Sequence, residues 1–269
     1  MQQADAFLEE SLALHALIAD RGDALAAPTQ FKGWTVEDVV AHLHHLNLAV
    51  ELALESEAAF ATKAKPLIAQ MMKGRPMLEV QRDDLGDLTG GALVDAWRET
   101  SERLADAFRG ADPKQRVPWF GPSMSARTAA TARHMETWAH GESVFDALGA
   151  AREETDRVRN VAHLAVQTIP YAFQVRGEAP PAPPLHVRLV APSGAIWSWN
   201  EADGEPHLEG SAVELCRVAT QTRSAADTAL VARGAAAERW LRIAQCFAGP
   251  AVEPPAPGTR FRRPTVYPR

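Results

Sequence analysis

Through the first half of the chain, apolar side chains return every three or four positions. Phe7, Leu8, Leu12, Leu14, Leu17 and Ile18 mark a first helix that stops near Gly22. Val36, Val39, Val40, Leu43, Leu46 and Val50 keep a 3.6-residue period to about position 57, and Thr35 followed by Asp38 resembles a capping box at its start. A shorter helix is expected over 59–72, bent or started by Pro66. Leu93, Ala96, Trp97, Leu104 and Phe108 mark another, closed by Gly110 and Pro113, and the last runs over 126–148 between Ser123 and Gly149. Four long amphipathic helices predict an antiparallel bundle. The connections 83–91 and 114–125 are longer than a minimal bundle needs, and such loops often form the mouth of a site.

After Gly149 the pattern changes. One more helix is expected over 154–175, followed by a Pro-rich stretch at 179–184 that cannot continue it. Alternation over 185–190, a Pro192-Ser193-Gly194 turn and the run 195–199 predict a strand pair. A helix over 211–220, a short strand over 228–231 and a helix over 235–247 complete an α+β unit. The expected organisation is a helical bundle over 1–150, an α+β domain over 151–249 and a Pro-rich tail over 250–269. The fold class is mainly α with a C-terminal α+β domain.

Composition narrows the function classes. Of 269 residues, 46% are hydrophobic and 23% charged, the balance of a globular protein. A net charge of −6 argues against general affinity for nucleic acid or an anionic membrane. The amino terminus is acidic and carries Glu9, Glu10 and His15 through its apolar stretch, unlike a secretory signal, and no apolar run is long enough for a membrane span. A cytoplasmic location is the expectation. Cys216 and Cys246 lie far apart without a CxxC spacing and are expected as buried thiols.

Histidines carry the candidate chemistry. Five of the nine fall in two predicted helices: His42, His44 and His45 in one, His134 and His140 in the other. Glu136 and His140 are four apart and leave the same face of their helix one turn apart, so both can reach one divalent ion. A pair at that spacing is more often a plain surface hydrogen bond, and a third ligand from a facing helix is what would make it a site with an open position. Neighbouring helical residues sit about 100° apart, so the three histidines of the earlier helix cannot all face one way. His42 shares a face with Val39, Leu46 and Ala49, His45 with Asp38, Ala41 and Leu52, and His44 with Val40, Asn47 and Leu48. Spacing alone leaves open which of them meets the pair.

The run from Gly33 to Leu43, GWTVEDVVAHL, resembles the first metal motif of the mycothiol-dependent maleylpyruvate isomerase family, within the DinB-like helical-bundle superfamily. The run from Ala132 to Gly141, ARHMETWAHG, is similar to its second motif, with Asp146-Ala147-Leu148-Gly149 closing the helix. The resemblance implies a DinB-like four-helix bundle followed by a small, sterol-carrier-like α+β domain. It implies His42, Glu136 and His140 as ligands of a divalent metal, zinc by family habit. It also implies an Arg from the second domain near the metal, for which Arg223 is the nearest candidate. Where many relatives carry an Asp three residues after the second His, this chain has Ser143. The resemblance is closest to a metal-binding branch of the family rather than to the isomerase itself.

Two imidazoles and one carboxylate would leave a divalent ion with formal charge near +1, which favours an anionic further ligand such as a thiolate. The bundle has no Cys, so the thiol is expected to arrive as a small molecule and to be added to an electrophilic substrate, in transferase or isomerase chemistry. Two other readings stand beside it. One is a metal-dependent hydrolase with His44 or His134 as supporting groups. The other is a non-enzymatic metal or small-molecule binding module using Trp197 and Trp199, a pair more often found in a sheet core. Trp34, Trp119 and Trp138 are candidates to line a pocket beside the metal, with Trp34 also suited to packing its loop onto the bundle.

Overall fold

The computed structural model describes residues 1–264 and divides into two compact units, Met1–Ala150 and Ala151–Arg263. The last five residues of the expected Pro-rich tail, 265–269, lie outside the described residues.

The first unit is built on four long helices: α1 (Gln2–Ile18), α2 (Val36–Glu55), α5 (Gly90–Gly110) and α6 (Ala126–Ala147). Two further helices, α3 (Glu57–Met72) and α4 (Met77–Leu85), join α2 to α5. One apolar cluster gathers Leu14 and Ile18 of α1, Val36 to Leu43 of α2, Leu93 to Trp97 of α5 and Val144 of α6. The other gathers Phe7, Val50, Ala53, Leu104, Phe108 and Ala126 to Ala130. These partners fix the helix directions. The start of α1 meets the end of α5, where Arg109 pairs with Asp5 at 2.8 Å, so those two run antiparallel. By contrast α2 and α5 run parallel, with Asn47 donating to Ser101 and Arg103 pairing with Glu51 further along both helices. The cause is the α3–α4 excursion, which returns the chain to the end where α2 began. The expected four-helix bundle is present, but α2 and α5 are parallel where an antiparallel arrangement was expected, because this long crossover stands in place of a short loop.

Pro66 lies inside α3 and does not start it. The loop expected over 83–91 is mostly helix: α4 fills its first part, leaving Gly86 to Thr89 as the connection to α5. Within 114–125 the two-residue strands β1 (Arg116–Val117) and β2 (Met124–Ser125) pair antiparallel. Among the described residues no helix is long and apolar enough to cross a membrane.

The second unit is α+β. The helix expected over 154–175 is broken into a 3-10 turn, α7 (Arg159–Gln167) and α8 (Ile169–Gln174). Pro170 has no N–H to donate to the preceding turn, and the Thr168 hydroxyl bonds back to Leu164 O at the break. A four-stranded sheet holds β3 (Val187–Val190), β4 (Ile196–Trp199), β5 (Leu208–Ser211) and β6 (Val231–Ala232) in the order β4-β3-β5-β6. Sequence reading missed β5, the strand that runs parallel to β3. It is short and contains Gly210, whose positive φ and close approach to Leu230 leave no room for a Cβ. The sheet is completed by α9 (Ala212–Ala219) and α10 (Ala235–Leu241). The latter ends earlier than expected: the Arg242 and Ile243 amides bond Arg239 O and Trp240 O three residues back, and the Cys246 amide turns to Ala219 O.

Candidate metal centre

The two helices that carry the candidate ligands have defined starts. Thr35 Oγ1 accepts from the Asp38 amide at 3.1 Å while Asp38 Oδ2 accepts from the Thr35 amide at 3.0 Å, so the capping box is complete and sets where α2 begins. His42 follows two turns later. On α6, Ser125 Oγ accepts from the Thr128 amide at 3.1 Å. Glu136 and His140 then lie on the stripe of α6 that faces α2.

There the three side chains converge. His140 Nε2 lies 3.3 Å from Glu136 Oε2, and His42 Nε2 lies 3.8 Å from the same oxygen. One donor atom from each residue falls within 4.8 Å of the other two, and this is the one such group found among the described residues. A tetrahedral ion with bonds near 2.0–2.1 Å spaces its ligand atoms by about 3.3 Å. The observed spacing therefore fits a single divalent ion with little movement. Two imidazole nitrogens and one carboxylate oxygen also form the donor set of zinc sites that keep a position open.

The rings are held from outside. His42 Nδ1 is 2.9 Å from Gln81 Oε1, brought by α4. The Trp34 ring stacks on His140 at 7° with centroids 6.1 Å apart and also lies against His42, while Phe31 meets His140 edge-on at 4.9 Å. Both aromatics belong to a tight turn closed by Trp34 N donating to Phe31 O and Thr29 N donating to Trp34 O. Lys32 at its tip takes a positive φ of 53° and lies over both rings.

Burial pushes His42 below its ordinary pKa, with the neighbouring His140 acting in the same sense, although contact with Glu136 and Gln81 opposes it. A neutral imidazole keeps the lone pair that a metal needs. Burial alone would raise Glu136, but contact with His140 and His42 and the positive charge of Arg133 outweigh it and hold the carboxylate well below its usual range. One turn along α6, burial pushes Arg133 down to about 10 despite the attraction of Glu136. Its Nε donates to Asn47 Oδ1 at 3.0 Å, and Asn47 in turn donates to Ser101. A polar layer thus lies directly under the cluster.

The remaining candidates make other contacts. His45 bonds Asp84 at 3.0 Å, and His134 turns to α1, 3.9 Å from Glu10. Trp119 packs with Phe60 and Phe120, and Trp138 is buried in the bundle. Ser143 is buried. Arg223 lies in the second unit just after α9, with Nη1 donating to its neighbour's carbonyl, Thr222 O, at 2.7 Å. Trp197 is buried in the sheet and Trp199 donates to His163. Gln81 and Phe31 were missed by sequence reading. Gln81 sits in a helix the periodicity did not reveal, and Phe31 in a turn whose only signal was its closeness to Gly33-Trp34.

A family model described as the mycothiol maleylpyruvate isomerase N-terminal domain matches residues 6–145, a span that contains all three cluster residues. Two uncharacterized proteins of Mycobacterium tuberculosis, from strains CDC 1551 / Oshkosh and ATCC 25618 / H37Rv, are each 40% identical over 242 residues, covering 90% of this chain and 93% of theirs. Among solved structures, the crystal structure of the mycothiol-dependent maleylpyruvate isomerase and that of a histidine-to-alanine mutant of it align with a TM-score of 0.49 at 15% identity, covering 80% of this chain and 86% of theirs.

Proposed function

We propose, from the premise that this chain belongs to the mycothiol maleylpyruvate isomerase family, that its bundle holds one divalent ion on His42, Glu136 and His140 and activates a low-molecular-weight thiol toward an electrophilic substrate. The observation that carries this reading is the convergence of two imidazole nitrogens and one carboxylate oxygen within 4.8 Å, from two separate helices. An ion held by these three residues would supply the positive charge that stabilises a coordinated thiol as its anion near neutral pH.

The chain's own residues supply the rest. His42 and His140 offer lone pairs, and the ionised Glu136 lowers the charge of the site. Phe31 and Trp34 cover the imidazoles and limit water around them. The chain's cysteines are Cys216 and Cys246, both buried and both in the second unit, and burial pushes the Cys216 thiol well up. A reactive thiol is therefore expected from a small molecule of the mycothiol class. Borderline N and O donors suit zinc, which is the metal proposed. Arg223 is proposed, on family resemblance alone, to hold an acidic group of the substrate. The hydrolase reading gains nothing from the geometry, because the two groups offered to support it do not face the cluster: His134 turns to α1, and His44 lies two positions from His42 on α2.

The test is turnover of an electrophile by zinc-loaded protein. Consumption that needs both zinc and a small thiol is the expected result. Consumption with zinc alone would favour hydrolysis, and saturable thiol binding without turnover would favour a binding module.

A further inference from the structure

The helix α4 lies outside the two family motifs, yet it lays three successive contacts on α2. Gln81 Oε1 meets His42 Nδ1 at 2.9 Å, Arg82 pairs with Asp38 at 2.8 Å, and Asp84 meets His45 Nε2 at 3.0 Å. Gln81 is 3% exposed, so its amide contact does not compete with bulk water.

With the Gln81 amide turned so that Oε1, which only accepts hydrogen bonds, faces the ring, the contact places the proton of His42 on Nδ1. A neutral imidazole has one such proton, which leaves Nε2 with its lone pair. Nε2 is the nitrogen that faces Glu136 Oε2 at 3.8 Å. The carboxylate competes for the same proton, because an Nε2–H would donate to it and turn the lone pair toward α4, away from the cluster. We infer that Gln81 is a positioning residue that holds His42 in the Nδ1–H tautomer and so aims its Nε2 lone pair at the point shared with Glu136 and His140. His140 is held differently, between the rings of Trp34 and Phe31. The role rests on the metal-centre reading above.

The tautomer of His42 is read by long-range 15N NMR of the metal-free protein, and zinc affinity by competition with a chromophoric chelator. The wild type is expected to show Nδ1–H at His42. Gln81→Leu, which keeps the bulk but loses the acceptor, is expected to shift His42 to Nε2–H and weaken zinc binding by about 10- to 100-fold. Gln81→Glu keeps an acceptor and is expected to restore both. Wild-type tautomer and affinity in the Leu variant would overturn the role of Gln81 while leaving the metal centre standing. Absence of zinc binding by the wild type would instead overturn the metal centre and this role with it. If the Leu variant does not fold, the wild-type spectrum decides, since Nε2–H there contradicts the inference.

Discussion

The two flanks of α2 present the same residue type at nearly the same burial and differ in everything else. His42, His44 and His45 are 3%, 4% and 5% exposed. On the flank toward α6, His42 meets a carboxylate and a second imidazole from a facing helix. On the other side, His45 is paired singly with Asp84, while burial, with the charges of His45 and Arg103 behind it, pushes His44 down to about 4. Burial keeps a histidine neutral on either flank. Only the α6 flank brings further donor atoms to the same point, and that convergence separates a candidate ligand from a core histidine.

The largest expected effect sharpens this contrast directly. His42→Ala should weaken zinc binding by about 3–5 kcal/mol, roughly two to four orders of magnitude, if the roughly 10–16 kcal/mol of a zinc site is shared among its three protein ligands. His44→Ala should leave the affinity within about threefold. Equal losses in chelator competition would break the comparison.

A smaller effect is expected at the aromatic turn. Trp34→Ala removes the ring stacked on His140, a contact worth about 0.5–1.5 kcal/mol, and should weaken zinc binding by about two- to tenfold. An unchanged affinity would show that stacking does not position His140.

The smallest concerns the cap that starts α2. Burial would raise the pKa of Asp38, but hydrogen bonds from the Thr35 amide, Arg82 and the Thr35 hydroxyl hold it below its ordinary value. A carboxylate depressed in the folded state contributes stability that is present at and above about pH 4 and is lost as pH falls through the lower folded pKa. Asp38→Asn should therefore cost about 1 kcal/mol in urea unfolding at pH 7, and the gap to wild type should narrow below about pH 4. A gap that stays constant down to pH 3 would mean the cap acts without its charge.

How much of this was legible in the sequence depends on how local each signal is. The long bundle helices announce themselves because each presents an apolar stripe to a core, and the Thr35–Asp38 cap is written within four residues. Glu136 and His140 share a helix face by spacing alone. The choice of His42 over its two neighbours is a tertiary fact that periodicity left open and motif resemblance supplied. Helix α4 escaped because only Val80 and Gln81 of its nine residues are buried, which leaves no stripe to read. Gln81 escaped with it. Strand β5 is four residues long with one buried side chain, Leu208, and its pairing with β3 is set by partners far along the chain.

The central claim is that three side chains on two helices share one ion. Its most direct test is the zinc content of the purified full chain after equilibration with excess zinc and removal of free metal, measured beside His140→Ala. One zinc per wild-type chain and well under one in the variant is the predicted result. A variant that retains the full complement of zinc would contradict it.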